Sequence, residues 1–142
     1  MIEIALNISD LERNVKAIAN GLQHPEPLMA SLATTLFNEV EEQIAAGGRP
    51  PWAALKPSTI KRKIRAGRNN GILKFSGDLL ARENREQSHS GNTAKVVFAK
   101  EYGVFPHLGT KNMVARPLVV ADDALSDALA DACADFIDML QK

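Results

Sequence analysis

An α+β fold is what this sequence predicts: an antiparallel β-sheet packed by two long amphipathic helices, in a single domain over 1–142 with long loops. Three observations carry that expectation. Ile2, Ile4, Leu6 and Ile8 alternate with Glu3, Ala5 and Asn7, the period of a half-buried strand. Residues from about Arg82 to Ala99 read as a hairpin. Two stretches, Leu28 to Ala46 and Asp122 to Leu140, repeat apolar residues at helical spacing.

After the first strand, Ser9 and Glu12 stand in capping-box spacing, and Leu11, Val15, Ile18 and Leu22 follow on one helical face, with Asn20-Gly21 as the expected terminator. Pro25 and Pro27 punctuate the next junction. Leu28, Leu32, Leu36, Val40 and Ile44, supported by Met29, Ala33 and Phe37, then mark the spine helix, and Gly47-Gly48 offers the left-handed residue that closes it. Gly48-Arg49-Pro50-Pro51-Trp52 cannot be helical, because two prolines remove donors and restrict their neighbours.

Ser58 is placed to cap a short helix through Ala66, with Ile60 and Ile64 inward, the Lys and Arg residues outward and Gly67 ending it. Arg68-Asn69-Asn70-Gly71 reads as a turn or loop. Ile72 to Phe75 reads as a short extended piece, and Ser76-Gly77-Asp78 as a turn. The hairpin has a polar first arm to His89, a Ser90-Gly91-Asn92 turn, and a second arm from Thr93 to Ala99. In the last helix, capped by Asp122 or Asp123, Leu125, Leu129, Cys133, Phe136 and Leu140 form a face expected to lie on the sheet.

With 142 residues, 45% hydrophobic and 24% charged, the chain has the proportions of one globular domain. A lone cysteine, Cys133, excludes an internal disulfide. No apolar run is long enough to span a bilayer and the N-terminus lacks signal-peptide features, so a cytosolic protein without membrane contact is expected. The net charge is zero but polarised: Arg49 to Lys74 holds eight Lys or Arg residues and no acid, while Pro117 to Gln141 holds six Asp and no base. Such faces are either solvated surfaces or the two sides of a head-to-tail contact between copies.

Chemistry finds little support. His24, His89 and His107 lack a second ligand at helical metal-site spacing, so no metal or cofactor is expected. Ser76 lies in Phe-Ser-Gly-Asp without the first glycine of a nucleophile elbow. Cys133 sits on an apolar helix face, and no phosphate-binding Gly-rich loop occurs. The alternative is a module that binds nucleic acid non-specifically through 49–74, although Trp52 and Phe75 are too far apart in sequence to suggest a stacking platform.

Five stretches in order carry a resemblance to a known family. They are Gly48 to Leu55, Ser58 to Lys63, Ile72-Leu73-Lys74-Phe75-Ser76-Gly77-Asp78-Leu79, Glu101-Tyr102-Gly103-Val104-Phe105-Pro106-His107-Leu108-Gly109-Thr110, and Ala115-Arg116-Pro117-Leu118. From about Phe37 to Leu140 the chain resembles the phage virion morphogenesis family, which includes Mu G-like and P2-type tail completion proteins. It departs from the family pattern in having Gly109 two residues after His107 and Leu118 where phenylalanine is usual.

The resemblance implies a non-enzymatic structural protein that completes the tail or joins it to the head at the neck. It also implies a ring of copies contacting tail or head-tail connector proteins, in the host cytoplasm during assembly and then in the virion. It further likens Ala115 to Leu118 to a strand before the final helix. Arg49, Trp52, Lys61, Lys63, Arg65, Tyr102, His107 and Arg116 are the candidate interface residues, chiefly on the loops Gly48 to Trp52 and Tyr102 to Val114 and on the basic helix. Trp52 is equally suited to cap the core, and Arg116 to hold its loop through an internal salt bridge.

Overall fold

A computed structural model describes residues 9–68 and 71–142. The strand expected over Ile2 to Ile8 and the centre of the Asn69-Asn70 loop lie outside the described residues. The remainder is an α+β domain of helices around one two-stranded antiparallel sheet.

Helix α1 spans Ser9–Gln23 and α2 spans Glu26–Ala45. Asn20-Gly21 does not end α1. Gly21 is buried inside the helix because a Cβ there would sit 2.4 Å from Leu140 Cδ1, so the glycine serves close packing and the helix stops just short of Pro25. Helix α2, with proline in its first turn, is the expected 20-residue spine. It buries Leu28, Ala33, Phe37 and Val40, and also Gln43, because it is covered from two sides: the hairpin packs on one and the last helix on the other. Gly47, at φ +77°, supplies the left-handed closure, and the N–H of the following Gly48 donates to Gln43 O at 2.9 Å.

Helix α3 runs over Pro57–Arg65, with Lys56 rather than Ser58 in the capping position and no side-chain cap, because Pro57 takes the first helical place where a missing N–H costs nothing. Lys61, Arg62 and Arg65 face outward as expected, but the inward side is not the expected one. Ile60 and Ile64 are exposed, while Lys63 is buried. The aliphatic stem of Lys63 fills the space beneath the helix, and its ammonium donates to Gly71 O. Ile72 to Phe75 is a turn, not an extended piece, and Leu73 has a left-handed φ of 60°.

Strands β1 (Arg85–Ser90) and β2 (Thr93–Phe98) pair from Arg85↔Phe98 to Ser90↔Thr93 across Gly91-Asn92, as the turn signal predicts. The first arm starts later than expected, since Arg82–Asn84 is a 3₁₀ turn. A second 3₁₀ turn, Glu101–Gly103, leads into the short helix α4, Val104–Leu108.

Helix α5 spans Asp123–Leu140, and Asp122 Oδ1 accepts from Leu125 N at 2.9 Å as its cap. Its buried face, including Leu125, Ala132 and Phe136, packs chiefly on α2 and α1 rather than on the sheet. A two-stranded hairpin offers one face, and α2 already occupies it. Trp52, Leu79, Leu80 and Leu118 form a buried cluster against which Ile44 of α2 and Phe98 of β2 pack.

Candidate protein-docking surface

The segment Arg116 to Val120 organises the surface loops. It is not the strand to which the resemblance likens Ala115 to Leu118: it joins no ladder and bends at Leu118. Its backbone groups are taken mostly by side chains. Trp52 Nε1 donates to Pro117 O at 2.7 Å, Leu118 N donates to His107 Nδ1 at 3.1 Å, and Gln43 engages both polar groups of Val120 at 2.8 Å. Arg116 N donates to Pro106 O at 2.7 Å. A buried backbone must find partners somewhere, and here three different elements supply them.

Arg116 itself points inward. Its Nε and Nη2 donate to Ala53 O and Ala54 O at 2.8 and 2.9 Å, so one planar guanidinium clamps the loop that follows the prolines. The Arg49–Pro50 peptide bond in that loop is cis. Arg49 ties the loop to α2 and α5: Nη2 donates to Glu39 Oε2 at 2.8 Å and to Asp122 Oδ1 at 3.3 Å, and Nε lies 2.8 Å from Asp122 Oδ2 as an ion pair without hydrogen-bond alignment. The hydrogen bond to Glu39 raises the Arg49 pKa above its already high ordinary value. Gly109, at φ +77°, closes the other loop where a Cβ would meet Ala115 N at 2.8 Å.

Of the eight candidate residues, Arg49, Trp52, Lys63, His107 and Arg116 thus direct polar atoms into the subunit, whereas Lys61, Arg65 and Tyr102 face solvent. Trp52 is a core residue at 9% exposure, and the tie made by Arg116 goes to carbonyls rather than to a carboxylate. Burial lowers the Lys63 pKa.

What this brace presents is apolar. Tyr102, Val104, Phe105 and Leu108 are all exposed on the turn and α4, with Phe105 at 55% and Leu108 at 69%. Beside them, between α3 and the 110–114 loop, two adjoining hollows of about 280 and 380 Å³ share Leu55, Thr59, Arg62, Leu73 and Met113 in their walls. Leu73 is held there in a conformation that costs a branched side chain about 1–2 kcal/mol. Phe75 on the rim is flanked by Arg62 and Arg68 at 5.9 and 5.0 Å. Sequence periodicity passed over Phe105, Leu108, Leu73 and Gln43. Leu73, Phe105 and Leu108 lie within the stretches that carry the resemblance, and Gln43 stands as a polar residue one step from Ile44 on an otherwise apolar stripe.

Among the described residues no group of His, Cys, Asp or Glu could hold a metal ion, and no helix is long and apolar enough to cross a membrane. Residues 6–116 match the phage virion morphogenesis family, so the match takes in the region before Phe37 and stops before α5. Mu-like prophage FluMu G protein 2 of Haemophilus influenzae is 37% identical over 57 residues, which are 39% of this chain and 41% of that protein. The match therefore covers less than half of the relative. No solved structure matches.

Proposed function

This chain belongs to the phage virion morphogenesis family, and we propose on that premise that it is a structural component which finishes a phage or prophage tail or joins it to the head at the neck. It works through protein contacts in an oligomer, assembled in the host cytoplasm and retained in the virion, and performs no chemistry of its own. One observation carries the proposal beyond the family: Val104, Phe105 and Leu108 stand exposed on a segment whose backbone is locked by Arg116, His107 and Gly109. Apolar side chains displayed from a rigid support suit a contact surface, because burying them on a partner is favourable and little entropy is lost in ordering the loop.

The test is a prophage in which Phe105→Ser and Leu108→Ser are combined. Both residues are exposed, so the purified double variant should unfold within about 0.5 kcal/mol of the parent. Electron microscopy of induced lysates should show unjoined heads and unfinished tails. Infectious particles formed at parental frequency after deletion of the whole chain would overturn the proposal. Exposed Lys61 and Arg65 separate it from the nucleic-acid alternative. Changing both to Glu should leave DNA retention in filled heads unaltered, and specific loss of DNA would favour the alternative.

A further inference from the structure

We propose that the groove beside α3 receives the acidic outer face of α5 from a second copy of this chain, head to tail; the proposal rests on the assembly reading above. The two adjoining hollows have an apolar floor that includes Leu55, Leu73 and Met113, and they continue past Lys56 and Lys111 at the 110–114 loop. Arg62, Lys74, Lys56 and Lys111 stand exposed around that floor, and among the described residues no Asp or Glu lines it. A groove with a greasy floor and only positive charge on its rim fits an occupant that carries carboxylates together with apolar side chains.

This chain displays such a surface. On α5, Asp123, Asp127, Asp131 and Asp138 fall in one arc at helical spacing, opposite the buried Leu125, Ala132 and Phe136. All four are exposed, and the helix holds no Lys or Arg to offset them. Ile137, 38% exposed, borders the arc and offers an apolar side chain to the floor. None of the residues lining the groove comes from α5, so a subunit does not fill its own groove with this helix. The contact pairs two different surfaces, and such contacts close into rings when the rotation between copies allows it.

Two variants test the contact, each confined to exposed positions. One carries Asp127→Asn, Asp131→Asn and Asp138→Asn; the other carries Arg62→Gln, Lys74→Gln and Lys111→Gln. Light scattering on the purified full chain should show parental self-association that weakens about tenfold or more when salt is raised to about 0.5 M. Each variant alone should lose self-association. Mixed together they should form pairs that stop at one to one, since each contributes one intact surface. Variants that associate like the parent, a mixture that yields no pairs, or a parent that stays monomeric at every salt would each overturn the proposal. Whether particles need the chain at all is read separately by the deletion described above, so the head-to-tail contact can fail while the assembly role stands.

Discussion

The side chain of Gln43 meets the backbone of Val120 edge to edge: Nε2 donates to Val120 O and Oε1 accepts from Val120 N, both at 2.8 Å. Seventy-seven residues separate them. The amide of a helical glutamine thereby takes the place of a neighbouring strand, and it does so one residue pair before Asp122 caps α5. Gln43 is 1% exposed, so neither of its polar ends has water to fall back on.

Gln43→Leu should therefore lower stability by about 2–3 kcal/mol, since it leaves an N–H and a carbonyl of the Arg116 to Val120 segment without partners. A fall in the urea midpoint with an unchanged slope is the expected readout. A leucine variant as stable as the parent would mean that packing alone holds the segment to α2.

Trp52 joins the same segment from the other side, with its ring in the core and its Nε1 on Pro117 O. Trp52→Ala should cost about 3–5 kcal/mol through cavity formation, whereas Trp52→Phe keeps most of the packing and should cost about 1 kcal/mol more than a neutral change. Thermal unfolding of the two variants checks this. An alanine variant that melts with the parent would move the role of Trp52 to the surface.

The contrast between α2 and α3 explains what sequence could foretell. A 20-residue helix with an apolar stripe has one way to bury it, so α2, its Gly47-Gly48 ending and the capped α5 follow from periodicity and turn chemistry. A nine-residue helix packs on loops, and which face turns inward depends on the shape those loops leave. Lys63 fits that space with its stem and reaches a carbonyl with its tip, while Ile60 and Ile64 are left outside. The partners of Trp52, His107 and Arg116 are backbone atoms distant in sequence, and a carbonyl leaves no mark in a residue pattern.

Arg116→Lys should not be a conservative change. A lysine can follow the same path but cannot place two donors in one plane on Ala53 O and Ala54 O. The loss should be about 1.5–3 kcal/mol, concentrated in the loop after the prolines. Hydrogen exchange of peptides covering Trp52 to Lys56 should rise well above the change seen in α2. Uniform change across both would show that the clamp is global rather than local.

Lys63 gives the fold a pH signature. Burial lowers its pKa below the ordinary 10.5, so the unfolded chain holds this proton more tightly than the native one. Below the folded pKa both states are protonated and the penalty for burying the charge is present in full. As pH rises through the window between the folded value and 10.5, folding releases the proton and stability rises. Lys63→Met keeps the stem and removes the charge, and Gly71, which lies at the surface, leaves its carbonyl within reach of water. The methionine variant should thus be at least as stable as the parent at pH 7, and its advantage should shrink as pH approaches 10.5. Urea unfolding of both proteins at several alkaline pH values isolates the effect, because every other titrating group is common to the two. A constant difference between them across that range would mean that Lys63 carries no buried charge.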